Sequence, residues 1–321
     1  MGETMKQKRS KKPKNRVLQW VITLLVVVCM LAANYFLGID GKLTGSEAGN
    51  DQAVTDEGAY GLEVHFIDVG QGDATLIKAD GHAMLIDSGE NDKGTAVQLY
   101  LKKQGVEKLD YLILTHTDSD HIGGADVMIT KFDIGQIFLS DFKKDNKTYR
   151  ELMDSIKYRH MTFSTPEVGA EYELGGATFT IIAPNDTYED ANNSSLALIL
   201  DYGENSFLFS GDCEEEAEQD ILENGLSVDV DVYQVGHHGS KSSSTEQFLD
   251  AMSPEYAVIS CAEGNSYGHP HARTLNNLRK RNIKVFRTDE QGSIIAFSDG
   301  KRITWNCSPS DSWQVGEAKG K

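Results

Sequence analysis

The sequence predicts an α/β fold: two β-sheets packed face to face with helices outside, preceded by one N-terminal transmembrane helix. Three observations lead there. Short apolar runs of strand length alternate with segments of helical period through both halves of the chain. Residues of metal-ligand type recur where those runs end. Ahead of them, residues 17–37 are apolar almost without interruption, with Gln19, Thr23 and Asn34 the mild exceptions.

Composition divides the chain into five segments. Residues 1–16 form a basic tail, with Lys6, Lys8, Arg9, Lys11, Lys12, Lys14 and Arg16 against Glu3. Residues 17–37 are long enough as a helix to span a hydrocarbon core of about 30 Å, and the basic flank predicts a cytoplasmic N-terminus with the rest extracytoplasmic. A cleaved signal peptide is the competing reading. The length of the apolar run and its Leu31-Ala32-Ala33 exit argue instead for an uncleaved signal anchor in the cell membrane. Residues 38–61 are Gly-rich and acidic, the composition of a flexible linker. Residues 62–306 carry the periodic pattern of a folded domain, and residues 307–321 read as a disordered tail.

The basic tail has a net charge of +6 and the whole chain −18, so residues 17–321 carry −24. That acidity argues against broad, salt-driven adhesion to nucleic acid, which needs a surface rich in Lys and Arg. It leaves room for a phosphate ester held by metal ions, whose charge outweighs the local field. Four scattered cysteines, Cys29, Cys213, Cys261 and Cys307, suit buried thiols better than a disulfide framework or a zinc ribbon.

Within the domain, residues 62–68, 74–78 and 83–87 read as strands, with a Gly-containing turn at 69–73. Residues 93–104 have helical spacing through Val97, Leu99, Tyr100 and Leu101. A strand at 109–114 leads into a turn, and a helix begins near Gly124. A strand at 134–139 precedes a helix at 146–160. Residues 177–183, 196–200 and 207–210 are strands, followed by an acidic helix at 214–223 whose leading carboxylates suit the positive end of its dipole. A strand at 231–235 comes next, then a helix opened by a capping box of Ser243 and Glu246 and carrying Phe248, Leu249 and Met252. A strand at 256–260, a helix at 274–281 and short strands at 285–286, 293–297 and 302–305 close the domain.

Residues 115–123 read T-H-T-D-S-D-H-I-G, placing His116, Asp118, Asp120 and His121 directly after a strand. Imidazole nitrogen and carboxylate oxygen are the donors that zinc, manganese and iron accept. Asn192-Asn193 before a strand, Asp212 after one and His237-His238 after another extend the pattern, because strand ends on one edge of a layered fold share a cleft.

These ordered motifs resemble the metallo-β-lactamase superfamily, whose fold is a four-layer αββα sandwich. More narrowly they resemble the extracytoplasmic hydrolase domain of ComEC-type competence proteins. V-G-Q-G-D at 69–73, L-I-D-S-G at 85–89, N-N-S at 192–194, S-G-D at 210–212, H-H-G-S at 237–240 and Y-G-H-P at 267–270 carry the likeness. The resemblance implies a cofactor of two divalent metal ions, zinc or manganese. It assigns His116 and Asp118 to the first, with Asn193 where the superfamily usually has a histidine. It assigns Asp120, His121 and His237 to the second, with Asp212 bridging. Asp118 also stands where most of the superfamily has histidine, and an oxygen donor there hardens that site.

Beside such ions Asp120 would orient the attacking water, and His269 and His271 would contact the leaving group or a non-bridging oxygen. Ser240 or Lys241 would touch a phosphate. His238 reads as bracing His237, and Asp73 and Asp87 as hydrogen-bond partners of the ligands. His65, His82 and His160, in a strand, a hairpin turn and at a helix end, read as structural. Gly70-Gln71-Gly72 lacks the Lys-Ser/Thr of a phosphate-cradling loop and leads into a strand. Tyr149, Tyr158 and Phe163 suit base stacking no better than core packing.

Three functions fit. The first is a membrane-anchored phosphodiesterase or nuclease linked to DNA processing or uptake, its protein partners unspecified. The second is a metallo-hydrolase of a small or cell-envelope phosphoester or ester. The third is a non-catalytic extracytoplasmic binding module. ComEC-type proteins carry a many-helix channel, whereas this sequence shows one apolar span.

Overall fold

The computed structural model describes residues 61–318. The basic tail, the apolar span and all but the last residue of the linker lie outside the described residues. Among the described residues no helix is long and apolar enough to cross a membrane.

Sheet one is built from β1 (Leu62–Phe66), β2 (Thr75–Ala79), β3 (His82–Ile86), β4 (Lys108–Leu114) and β5 (Asp133–Leu139), closed by β13 (Ile294–Ser298) and β14 (Ile303–Trp305). Its order is β14-β13-β1-β2-β3-β4-β5. Sheet two comprises β6 (Glu171–Leu174), β7 (Ala177–Ala183), β8 (Ala197–Tyr202), β9 (Asn205–Phe209), β10 (Val232–Gln234), β11 (Tyr256–Ile259) and β12 (Lys284–Arg287), in the order β12-β11-β10-β9-β8-β7-β6. Strands β3, β4 and β5 run parallel, as do β9 to β12, and the remaining pairs are antiparallel.

Helices follow from the parallel pairs, which need a crossover that covers the sheet. On the outer face of sheet one lie α1 (Gly94–Lys103), the short α2 (Ser119–Ile122), α3 (Ala125–Lys131) and α4 (Lys147–Tyr158). On sheet two lie α5 (Glu215–Glu223), α6 (Glu246–Met252) and α7 (Ala272–Lys280), and α8 (Thr288–Gln291) follows β12. Helix, sheet, sheet, helix is the sandwich that the alternation predicts.

The inner faces of both sheets make one apolar core. Phe66 and Phe209 meet across it with ring centroids 6.3 Å apart, Tyr111 meets Phe179 edge-on at 5.0 Å, and Phe286 stacks on Trp305 at 4.0 Å. Each fully buried phenylalanine contributes about 2–3 kcal/mol, so these contacts clamp the layers. Near one edge the clamp is polar: Thr75 Oγ1 of β2 donates to Gln234 Oε1 of β10 at 3.2 Å.

Local readings need three corrections. The cap of α6 is Thr245, whose hydroxyl accepts from Phe248 N, while Ser243 donates instead to the Cys213 carbonyl. Leu99 faces solvent, because the buried stripe of α1 runs through Gly94, Val97 and Leu101. Strand β6 was not anticipated, since a four-residue edge strand with one buried side chain has no apolar periodicity to read. Cys213 and Cys261 are buried free thiols. Of the segment read as a disordered tail, the described residues 307–318 contain no helix or strand, and Arg287 donates to the Gln314 carbonyl at 2.6 Å and Gly316 N to the Pro270 carbonyl at 2.9 Å.

Candidate metal centre

Parallel pairing brings the chemistry to one edge. Asp87 and His116 follow adjacent parallel strands β3 and β4, and Asp73 stands just before β2, which runs antiparallel to β3. Asp212 and the 3₁₀ turn Gly236–Gly239 follow parallel β9 and β10 in the facing sheet. Two further contacts fix the two rims: Leu196 N donates to the Thr115 carbonyl at 2.8 Å, and Asp73 N to the Asp120 carbonyl at 3.2 Å. The last requires Gly72, where a Cβ would stand 2.2 Å from that same Asp120 oxygen.

Four imidazoles surround Asp212, each with its Nδ1 tied outward. His116 Nδ1 bonds Thr115 Oγ1 at 3.1 Å, His121 Nδ1 bonds Asp87 Oδ2 at 2.8 Å, His237 Nδ1 bonds Glu214 Oε1 at 3.1 Å and His238 Nδ1 bonds the Ser260 carbonyl at 3.0 Å. In a neutral ring these partners place the proton on Nδ1 and leave Nε2 as the inward donor atom. The Nε2 atoms divide into two pairs. His116 and His237 each stand 3.7 Å from Asp212 Oδ2, and His121 and His238 stand 3.3 and 3.6 Å from Asp212 Oδ1. Asp120 Oδ2 joins the second pair, 3.4 Å from His238 Nε2.

A backbone device separates the two adjacent histidines. His237 and His238 both have positive φ, 50° and 53°, a conformation that costs non-glycine residues roughly 1–3 kcal/mol and concentrates at functional sites. The two rings lie 77° apart, one towards each oxygen of Asp212.

The donor set fits a divalent cation. His121 Nε2 and His238 Nε2 lie 3.2 Å apart, and two unprotonated nitrogens repel at that distance unless a metal ion or a proton sits between them. His116 Nε2, Asp73 Oδ1 and Asp212 Oδ1 are buried without a hydrogen-bond partner, which is costly unless a ligand satisfies them. Single ligand atoms of Asp73, His121, Asp212 and His238 all fall within 4.8 Å of one another.

Electrostatics tell the same story. Burial pushes Asp212 up, but the four histidines outweigh it and hold the carboxyl well below the usual range. Burial opposes charge on His121 and His238 too, yet Asp212 and its neighbouring carboxylates raise His121 strongly and His238 to about 9. Burial and the nearby His121 hold His116 well below its usual value. Burial raises Asp73. For Asp120, burial acts upward and the hydrogen bond from His238 prevails, leaving it low.

The sequence-selected residues separate accordingly. His116, Asp120, His121, Asp212, His237 and His238 come together, and Asp73 joins them rather than standing behind a ligand. Asp87 stands behind His121 and also accepts from Thr115 N and Thr115 Oγ1 at 2.8 and 2.7 Å. Asn193 is not brought in. Its Oδ1 accepts from Glu214 N and Ala217 N, and its Nδ2 donates to Asp190, so its amide is spent on starting α5. Asp118 faces Lys144, which forms an ion pair with Oδ1. At the mouth His269 stacks between Tyr267 and His238, and burial with the neighbouring histidine charges lowers it to about 3. His271 Nδ1 accepts from Lys241 N, and Ser240 Oγ bonds Ser242 Oγ. His65 and His82 are engaged by Glu63 and Asp110, away from the centre. Tyr158 is exposed.

Sequence reasoning passed over Lys144, Glu214 and Tyr267. Only Tyr267 lay in a quoted motif; the other two act through contacts distant in the chain.

This sandwich, with ligand-type side chains at strand ends of one edge, is a metallo-beta-lactamase architecture, and the superfamily's model matches residues 67–263. The chain belongs to the metallo-beta-lactamase superfamily. Among curated proteins, it is 31% identical over 251 residues to ComE operon protein 3 of Bacillus subtilis, covering 72% of this chain and 32% of that protein. It is 34% identical over 238 residues to Recombination protein 2 of Haemophilus influenzae, covering 72% and 28%. It is 31% identical over 230 residues to Competence protein ComA of Neisseria gonorrhoeae, covering 71% and 31%. The chain thus spans about a third of the length of these curated relatives. The crystal structure of the metallo-beta-lactamase fold protein YhfI from Bacillus subtilis aligns with a TM-score of 0.47 at 14% identity, over 74% of this chain and 99% of that one.

Proposed function

We propose that this chain is a membrane-anchored, extracytoplasmic metal-dependent hydrolase that cleaves phosphodiesters, DNA among them, with a metal-activated water. One observation carries the reading: the two oxygens of the buried Asp212 each face a pair of imidazole Nε2 atoms. The apolar run at 17–37 and its basic flank support the placement outside a membrane.

In this reading the centre would hold two divalent ions, zinc or manganese, about Asp212. His116, His237 and Asp118 would hold one, and Asp120, His121 and His238 would hold the other, with Asp73 beside them. His237 is thereby moved to the half opposite the one the motif order implied. Bound ions would acidify a water and polarise a phosphoryl oxygen. The protein does the rest. Asp87, Thr115, Glu214 and Ser260 hold the four rings in the tautomer that points Nε2 inward. Asp120 presents a carboxylate held in its charged form to the attacking water. His269, neutral at physiological pH, offers a hydrogen bond to the departing or non-bridging oxygen rather than acting as an acid.

A small phosphodiester is the second reading, favoured by the −24 charge of residues 17–321, which opposes tracking along a long polyanion. Incubating the purified protein with Mn²⁺ or Zn²⁺ tests both. Metal-dependent cleavage of labelled single-stranded DNA, lost in Asp212→Ala, supports the first. Turnover of bis(p-nitrophenyl) phosphate without DNA cleavage selects the second, and turnover of neither substrate with any ion sinks both.

A further inference from the structure

The halves of the centre are unequal. Around Asp212 Oδ1 gather His121 and His238 Nε2, Asp120 Oδ2 and the orphaned Asp73 carboxylate. Around Oδ2, the ion pairs among the described residues are those with His116 and His237. Asn193, which motif order assigned to that half, is consumed by α5. Asp118, which motif order also assigns to that half, already carries a cation: Lys144 Nζ sits on its Oδ1.

Lys144 is directed to that place by its loop. The segment between β5 and α4 is tied down at its start by Ser140 Oγ donating to the Ser194 carbonyl at 2.6 Å, and at its end by Asn146 capping α4 through Tyr149 N at 2.8 Å. The Lys144 side chain is 34% exposed, whereas Lys147, just beyond the loop, is 81% exposed and pairs only with its own helix neighbour.

We infer that Lys144 is a built-in counter-cation that occupies Asp118 and makes the centre load its metal ions in order, the Asp120–His121–His238 half first. This rests on the metal-centre reading above. A single ion finds the carboxylate-rich half open. A second ion must displace the ammonium from Asp118 and approach a dication already bound, so it binds more weakly. The long, partly exposed lysine stem lets the ammonium swing to solvent when that happens.

The test is a titration of the metal-stripped full-length protein with Mn²⁺, followed by calorimetry, by elemental analysis after dialysis, and by the electron paramagnetic resonance signature of coupled manganese pairs. Wild type is expected to take one equivalent tightly and a second at least about tenfold more weakly, because like charges repel at short range. Lys144→Met is expected to tighten the second equivalent about fivefold, the worth of a partly exposed ion pair. Lys144→Arg, which keeps the charge, is expected to follow wild type. Two equivalents of equal affinity in wild type overturn the inference and leave the metal centre intact. So does a Lys144→Met protein with an unchanged second affinity and a raised KM for the diester, which makes Lys144 a substrate contact. A protein that takes up no Mn²⁺ overturns the underlying reading as well.

Discussion

Asp87 accepts the Nδ1 proton of His121 at 2.8 Å with the same oxygen that accepts the Thr115 hydroxyl, while its other oxygen accepts the Thr115 backbone. One buried carboxylate thus fixes the ring of a central histidine and the turn that carries His116. Asp87→Asn retains the volume but cannot accept all three donors. Metal affinity measured by calorimetry should fall about 10–100-fold, the usual cost of losing such a partner, while the fold persists by circular dichroism.

Gly72 has φ +122° and no room for a Cβ beside the Asp120 carbonyl. Gly72→Ala should cost about 2 kcal/mol or more in chemical denaturation. It should also weaken metal binding, because the loop that pins Asp120 and presents Asp73 must move.

Glu218 on α5 reports on pH. It is buried, and that pushes its carboxyl up to about 7, although Ser244 N and Thr245 N donate to it and act in the opposite direction. From its ordinary range up to 7 the folded state keeps a proton that the unfolded chain has lost. Stability is therefore full at low pH and falls as pH rises through 7, by at most about 3 kcal/mol. Melting temperatures from pH 5 to 8 should show this decline, and Glu218→Gln should flatten it.

Arg287 is buried against Asp289, which it grips with two bonds of 2.7 and 3.0 Å, while reaching Gln314 in the C-terminal segment. Arg287→Met leaves the Asp289 carboxylate buried and unpaired, so a loss of about 3–5 kcal/mol is expected in denaturant unfolding. Proteolysis after residue 307 should quicken.

The layers and most strands were legible because apolar runs and ligand-type residues recur at strand ends, which is local information. The cluster at His116 to His121 and the central place of Asp212 among the histidines could be read for the same reason. Three features could not. The paired left-handed residues His237 and His238 depend on a turn held by both sheets, so their opposite aims have no signature in H-H-G-S. Asn193 looks like a ligand until α5 is seen to need its amide. Lys144 meets Asp118 across a separation of 26 residues, with no motif linking them.

The most direct test is anomalous diffraction at the manganese edge from crystals of the protein grown with Mn²⁺. A metal centre organised by Asp212 predicts a peak among Asp212 Oδ1, Asp120, His121 and His238, and a second, weaker peak on the Oδ2 side beside His116 and His237. Absence of any peak within coordination distance of Asp212, at Mn²⁺ concentrations that saturate binding, would contradict it.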